Sequence, residues 1–313
     1  MALEAGIAAF VARVTAEGGD GGDPRALSIE ALREAYEAFA ARWTPARLPP
    51  GVVAEDAVMF APAGHRLALR RYRAREQPRG TVLFFHGGGF VLGSLDSHAS
   101  ITARIAADTG LDVIAVDYRL APEHRAPAAH DDVRAVTRAA LDGSLPFGPT
   151  ALPVAVAGDS AGGTLAASVA AWFGAELAAV ALAYPMLGLE PESPAAETEA
   201  HAPMLTLDEV RLYRRLYWGD AAPPAGTVPL FAARFEGLPP LLAVGAEHDP
   251  LRDDARVYVE RIVAAGGEAH FHFGSGLVHG CWRALDLSPG AARMHATICE
   301  FLEAAMDRHA ASR

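Results

Sequence analysis

Cysteine is scarce in this 313-residue sequence, which has only Cys281 and Cys299. The two residues are not spaced as metal ligands, and both fall late in the chain, on or near predicted helices. We therefore expect no metal site and two free thiols in a reducing compartment, with a single disulfide left open as the alternative.

Basic residues are outnumbered, because 27 Lys and Arg stand against 38 Asp and Glu and leave a formal net charge of −11. A surface that binds phosphates needs clustered Lys and Arg. The charge balance therefore argues against nucleic acid as a partner and favours a soluble protein.

Long apolar runs are also missing, since no stretch approaches the length that spans a bilayer. The N-terminus lacks a basic region, Glu4 comes early, and Arg13 interrupts the apolar residues. These features predict an amphipathic helix rather than a signal peptide, and we expect a cytoplasmic protein.

Apolar residues are nevertheless plentiful, at 51% of the sequence, which is enough for a large core in one large domain or two smaller ones. Short apolar runs alternate with helical patterns from about residue 81. This alternation predicts an α/β fold with a mostly parallel sheet and helices on both faces. Strands are expected at 56–60, 66–73, 81–85, 112–116, 153–157, 178–184, 240–245 and, as an edge strand, 268–273. Helices are expected at 97–109, 127–141, 161–173, 207–218, 252–265 and 289–308.

The first 50 residues precede this alternation and have a helical pattern of their own. Gly18–Gly22 predicts a linker or turn that breaks the pattern. Ser28 is suited to cap the helix that follows, although it lacks a full capping box. The apolar face of that helix is either a core-packing face or a lid over a site further along the chain.

A second unusual segment, 188–205, is rich in Glu, Pro and Ala and predicts an irregular excursion. We expect residues 1–50 to form an N-terminal helical cap segment. Residues 51–313 are then the catalytic domain, from which 185–235 contributes to the cap.

The stretch Val154–Gly163 predicts a strand, a sharp turn and a helix, with Ser160 at the turn. Gly158 and Gly162 complete the G-x-S-x-G pattern of a nucleophile elbow, where a strained backbone leaves no room for Cβ atoms. The helix N-terminus would favour negative charge near the serine. The alternative is a glycine-rich turn without chemistry.

Asp249 and His279 follow later strands, so the chain order is Ser160, Asp249, His279, as in an α/β-hydrolase sheet. A serine hydroxyl needs a histidine to accept its proton and return it to the leaving group. An acid must hold that imidazole in the correct tautomer and stabilise its charged form. These three residues are our candidate catalytic triad.

Several neighbouring residues compete for these roles. Asp253 and Asp254 lie within the next predicted helix, where we expect them to be solvated on its first turns. His248 is expected to be a structural or pocket residue. His270 and His272 are expected on the solvated face of the edge strand.

His86–Gly89 reads H-G-G-G directly after a buried strand. Glycines let backbone N–H groups approach the oxyanion of a tetrahedral intermediate, and we expect Gly87, Gly88 and Ala161 to supply the donors. A phosphate-binding loop is excluded because neither G-x-G-x-x-G nor a Walker lysine is present. His86 is expected to support the loop rather than act as a base.

Five motifs occur together from about residue 50 to the end: H-G-G-G-F at 86–90, D-Y-R-L-A-P-E at 117–123, G-D-S-A-G-G at 158–163, D-P-L-R-D at 249–253 and H-G at 279–280. In this combination the chain resembles the hormone-sensitive-lipase-like (bacterial family IV) esterases of the α/β-hydrolase superfamily. The resemblance implies an eight-stranded, mostly parallel sheet with a helical cap over the pockets.

The resemblance also implies a preference for short-chain esters over long triglycerides, and a homodimer, which is frequent in that family. It gives Asp117, Tyr118 and Glu123 a supporting role at the glycine loop and no catalytic one. The sequence departs from the family at Cys281-Trp282, where an aromatic residue usually follows H-G directly, which puts the expected pocket shape in question.

The leading hypothesis is a serine carboxylesterase that hydrolyses short- to medium-chain carboxylic esters through an acyl-enzyme, without metal or cofactor. An amide or aryl-formamide hydrolase with the same triad is one alternative. A non-catalytic small-molecule binding protein is another, but such proteins typically lose a triad residue.

Overall fold

A computed structural model of the chain describes residues 2–17 and 26–311. The predicted linker at Gly18–Gly22 lies outside the described residues. Eight strands form one sheet in the order β1-β2-β4-β3-β5-β6-β7-β8. The strands are β1 (Val53–Phe60), β2 (Arg66–Arg73), β3 (Thr81–Phe85), β4 (Asp112–Asp117), β5 (Val154–Asp159), β6 (Val180–Ala183), β7 (Leu241–His248) and β8 (Ala269–Val278).

Strand β2 pairs antiparallel with both β1 and β4, and every other pair is parallel. The predicted eight-stranded, mostly parallel sheet is thereby confirmed. The helices are α1 (Ala5–Ala16), α2 (Ile29–Arg42), α3 (Ala99–Thr109), α4 (Ala128–Leu141), α5 (Ala161–Phe173), α6 (Pro194–Thr198), α7 (Leu207–Trp218), α8 (Arg252–Ala264) and α9 (Pro289–Ala311).

Strands β3 to β7 are buried along almost their whole length, which explains the unbroken apolar runs of the central strands. Along β3, Leu83 and Phe85 belong to the apolar cluster that includes α4, α5 and α8. Val82 and Phe84 belong to the opposite cluster, with α1, α3 and α9. Because successive side chains of a strand point to opposite faces, β3 contributes to the apolar core on both sides of the sheet.

Side-chain hydrogen bonds cap the N-termini of two helices. Ser28 Oγ accepts a hydrogen bond from the backbone N–H of Ala31 and caps α2, as predicted. Thr206 and Glu209 form a complete capping box at the start of α7, which has the predicted bounds. These side chains satisfy N–H groups that have no partner within the helix.

The predicted bounds of the last strand were wrong, since β8 continues to Val278 and includes residues assigned to a loop. The register with β7 shifts between Ala246 and His248. The Glu247 carboxylate accepts hydrogen bonds from Gly276 N (2.7 Å) and Ser275 Oγ (3.0 Å). A side chain from the neighbouring strand therefore supports the irregular end of β8, directly before His279.

The segment 188–205 is not wholly irregular, because it contains the short helix α6.

The expectation that Asp253 and Asp254 are solvated was also wrong, since they are only 7% and 5% exposed. Asp254 Oδ2 accepts hydrogen bonds from the N–H groups of Leu187 (3.0 Å) and Gly188 (2.9 Å). Asp253 likewise accepts one from the first turn of α6. The two carboxylates therefore fix the path of the chain after β6.

Asp254 gives a pH-dependent contribution to stability, because burial raises its pKa from 3.8 to about 6. Between about pH 4 and about pH 6 the folded chain retains a proton that the unfolded chain releases, so stability falls as the pH rises. Asp254→Asn cannot titrate. We expect its free energy of unfolding, relative to wild type, to rise by up to ~3 kcal/mol from pH 4 to pH 7.

Denaturant unfolding of both proteins across this pH range measures the effect, with the exposed Asp131→Asn as the comparison variant. Parallel stability curves for wild type and Asp254→Asn would contradict it.

Both cysteines are free and buried, at 0% exposure for Cys281 and 5% for Cys299. Burial raises the pKa of each thiol. Cys281 and Trp282, the positions that depart from the family pattern, do not line the cavity at Ser160. These two residues therefore lie behind the cavity wall.

Candidate active site

Ser160 lies between the end of β5 and the first residue of α5, with φ 53° and ψ −121°. A non-glycine residue adopts such a φ only when its surroundings enforce it. A Cβ on Gly158 would come within 2.4 Å of the Gly162 backbone, and one on Gly162 within 1.9 Å of the Phe85 carbonyl oxygen. The two glycines therefore permit the close approach of backbone that holds the serine at this turn.

The structure brings Ser160, His279 and Asp249 together from three strand ends. His279 Nε2 lies 2.8 Å from Ser160 Oγ, and its Nδ1 lies 2.7 Å from Asp249 Oδ2. A carboxylate only accepts, so Nδ1 carries the proton and Nε2 presents its lone pair to the hydroxyl. This is the arrangement in which a histidine can deprotonate a serine.

The orientation of these groups is fixed by their neighbours. Asp249 is fully buried, and its second oxygen accepts a hydrogen bond from Leu251 N at 2.9 Å. The ring of Tyr184 lies 4.8 Å from that of His279. Tyr184 has a φ of 36° and lines the cavity, yet no local sequence signal identifies it.

The competing histidines lie elsewhere. His248 Nδ1 is 3.3 Å from Glu199 Oε2, and His248 does not line the cavity. On β8, His270 is exposed and His272 is half-buried. His279 alone of these four lines the cavity beside Ser160.

The glycine loop after β3, which we call the oxyanion loop (His86–Leu92), requires one correction. The N–H of Gly87 donates to Asp159 Oδ1 at 2.9 Å, and Gly87 does not line the cavity. It is therefore not available to an oxyanion. Gly88, Gly89 and Ala161 do line the cavity, and no hydrogen bond among the described residues engages their N–H groups.

His86 supports this loop from behind. Its Nδ1 lies 2.8 Å from the Gly87 carbonyl oxygen, and its ring stacks on Tyr118 at 4.3 Å. The Tyr118 hydroxyl donates to the His86 carbonyl oxygen at 2.6 Å. Burial, with the neighbouring His98, lowers the pKa of His86 to about 3, so its imidazole is neutral. A scaffold role, rather than that of a base, fits these contacts.

The cavity at Ser160 has a volume of about 110 Å³ and is lined from two sides. Helix α2 contributes Leu32, Tyr36 and Phe39, one helix face at spacings of four and three residues. The opposite wall comes from the segment after β6, with Met186, Met204, Leu205, Glu209, Val210 and Tyr213. Both segments that the sequence set apart therefore border the serine.

Arg283 also lines the cavity and was not singled out from the sequence. It lies three residues beyond the H-G motif, in a short 3₁₀ turn, and only the fold brings it close to α2. Among the described residues, no cluster of three or more His, Cys, Asp or Glu is arranged to hold a metal ion. No helix in the described ranges is long and apolar enough to cross a membrane.

Comparison with known proteins gives consistent matches. A family model described as the α/β hydrolase fold matches residues 82–283. Esterase LipI of Mycobacterium tuberculosis is 40% identical over 206 residues, which are 64% of this chain and 64% of LipI. Carboxylesterase NlhH from the same species is 36% identical over 220 residues, 67% of this chain and 69% of NlhH. The matched region thus spans just under two thirds of LipI.

Solved structures match over more of the chain. An esterase of Pyrobaculum calidifontis has a TM-score of 0.80 and 30% identity, with 89% of this chain and 93% of that chain covered. An α/β hydrolase enzyme from the metagenome of Lake Arreo has a TM-score of 0.87 and 28% identity, with coverage of 96% and 98%. The likeness therefore extends beyond the residues matched by the family model.

Proposed function

Because the chain belongs to the hormone-sensitive-lipase-like esterases of the α/β-hydrolase superfamily, we propose that it is a serine carboxylesterase acting on short- to medium-chain esters. The observation that carries the proposal is the continuous hydrogen-bonded chain from Ser160 through His279 to Asp249. A non-catalytic binding protein would have no need of this arrangement.

In the proposed mechanism, Ser160 Oγ attacks the ester carbonyl carbon while His279 Nε2 takes its proton. The tetrahedral oxyanion accepts hydrogen bonds from N–H groups of Gly88, Gly89 and Ala161. Collapse breaks the bond to the alcohol oxygen, which receives the proton from His279, and leaves an acyl-serine. Water, deprotonated by His279, then attacks the acyl carbon. The bond from that carbon to Ser160 Oγ breaks, His279 returns the proton to Oγ, and the acid is released. Asp249 holds the imidazole and balances its positive charge throughout.

We further propose that α2 and the 185–235 segment act as the cap that limits the substrate. Both contribute apolar side chains to the cavity at Ser160, so these two segments would limit the length of an acyl chain that extends from the serine. The cytoplasmic location stays a prediction from the sequence, and the homodimer stays one from the family resemblance alone.

A panel of p-nitrophenyl esters from acetate to dodecanoate, with aryl formamides alongside, tests the proposal. We expect kcat/KM to be highest for short acyl chains. It should fall roughly tenfold or more per added methylene once the chain no longer fits. Faster turnover of formamides than of every ester would identify an amide hydrolase instead, and a maximum at dodecanoate would contradict the size limit.

A further inference from the structure

Arg33 lies on α2 next to the cavity-lining Leu32, but its side chain contacts two loops of the catalytic domain. Its Nε donates to the Val91 carbonyl oxygen in the oxyanion loop, and its Nη2 donates to the Ala121 carbonyl oxygen, both at 2.9 Å. The same guanidinium forms a bidentate pair with Glu123, at 2.9 and 2.7 Å. One side chain of α2 therefore binds both the loop after β3 and the loop after β4.

The position of Val91 is directly connected to the proposed oxyanion donors. The Gly88 carbonyl oxygen accepts hydrogen bonds from Val91 N (3.0 Å) and Leu92 N (2.8 Å). Gly88 and Gly89 have φ values of 122° and 61°. Glycine adopts such φ values without steric cost, but it loses more conformational freedom than any other residue when it is fixed, so contacts from outside help to hold this turn in one conformation. Arg33 supplies part of that support at the carbonyl oxygen of Val91.

A second connection starts one turn further along α2. The Tyr36 hydroxyl accepts a hydrogen bond from Arg283 Nη2 at 3.1 Å, and Arg283 Nη2 lies 3.4 Å from His98 Nε2. His98 Nε2 in turn lies 3.5 Å from Asp159 Oδ2. The other oxygen of Asp159, Oδ1, accepts a hydrogen bond from the backbone N–H of Gly87. These contacts reach the other end of the oxyanion loop.

Burial by itself raises the pKa of Asp159, but His98, Arg283 and the Gly87 N–H outweigh it and hold that pKa below the usual value. Asp159 is therefore ionised, and a buried carboxylate of this kind needs its donors in place.

We propose that α2 positions the oxyanion loop through Arg33 and Tyr36, so that the helix forming one cavity wall also sets the donors of Gly88 and Gly89. The proposal rests on the esterase function proposed above. Arg33 and Tyr36 are positioning residues, because they act on the reacting atoms through the loop. A substrate that presses on α2 would thereby change the rate of the chemical step as well as binding.

Three variants test this inference. Arg33→Met removes the first connection, and Tyr36→Phe removes only the hydroxyl that joins the second. Arg138→Met is the matched control, because Arg138 also forms a bidentate pair with a carboxylate, Glu176, and neither residue lines the cavity. We expect Arg33→Met to lower kcat for p-nitrophenyl acetate roughly 10- to 100-fold. Tyr36→Phe should lower it roughly 3- to 10-fold. KM should stay within about twofold in both, and Arg138→Met should keep the wild-type kcat.

Titration with a phosphonate that labels the serine gives the concentration of active sites, and each kcat is calculated per active site. A smaller amount of folded protein then does not lower the measured kcat. A stabilising role alone would lower the Tm of Arg33→Met and leave kcat per labelled site unchanged. That result, or an equal loss in Arg138→Met, would overturn the inference.

Hydrogen–deuterium exchange over His86–Leu92 adds a readout that needs no turnover. We expect faster exchange of these amides in Arg33→Met and Tyr36→Phe than in wild type and Arg138→Met. Equal exchange rates would overturn the inference. A wild-type protein without ester turnover would contradict the proposed function, while the exchange experiment would still decide whether α2 holds the loop.

Discussion

Replacing Ser160 with alanine is expected to lower kcat for a short p-nitrophenyl ester by about 10⁶-fold, because no other group takes over nucleophilic attack. The Ser160 hydroxyl is the group that lies 2.8 Å from His279 Nε2. Steady-state kinetics measures the loss, and mass spectrometry after phosphonate treatment should show one adduct on wild type and none on the variant.

Ser168 provides the matched control for this experiment. It lies on α5, the helix that Ser160 precedes, and is buried, and its hydroxyl has no hydrogen-bond partner in the described part of the chain. Ser168→Ala should therefore keep near-normal kcat. Substantial ester turnover by Ser160→Ala would exclude the assignment of Ser160 as nucleophile.

His279→Gln should be about as damaging as the loss of the serine, about 10⁶-fold in kcat, since base and nucleophile act as a unit. Glutamine keeps polar atoms at the site but cannot accept a proton from Ser160 and return it to the leaving group. The same kinetic assay measures the effect, and the double variant with Ser160→Ala should lose little more than either single variant.

The comparison variant is His248→Gln, because His248 directly precedes Asp249 but bonds to Glu199 outside the cavity. We expect it to retain most of the activity. If His248→Gln were the more damaging of the two, the base would have to be reassigned.

The sheet was predictable because its central strands have a simple physical signature. Residues 82–85 are apolar without interruption since both faces of β3 are covered. Ser160, Asp249 and His279 could be predicted together for the same reason. Each follows a strand of a largely parallel sheet, and the carboxyl ends of such strands meet at one edge.

The choice among the loop glycines could not be made from the sequence. Gly87, Gly88 and Gly89 are equivalent in the H-G-G-G motif. The structure distinguishes them because Asp159, 72 residues further along the chain, takes the N–H of Gly87. The sequence has no local signal for a hydrogen bond between two different strand ends.

The burial of the carboxylates of α8 could not be predicted from the sequence either. In sequence, Asp253 and Asp254 look like ordinary first-turn acids, which usually face water. They are buried because the chain after β6 passes over this helix end with backbone N–H groups that need acceptors. In sequence, Arg33 likewise resembles any other charged residue of an amphipathic helix. Its hydrogen-bond partners Val91 and Glu123 lie in loops that only the folded chain brings close to α2.

The burial of both cysteines has a practical consequence for work on this protein. Cys281 is fully buried and Cys299 is only 5% exposed, so maleimides and mercurials should react slowly with both thiols in the native fold. Inactivation by such reagents would thus report the opening of the structure around the β8 end and α9. It would carry no information about the nucleophile, and the labelling rate of the two thiols measures how often the native fold opens.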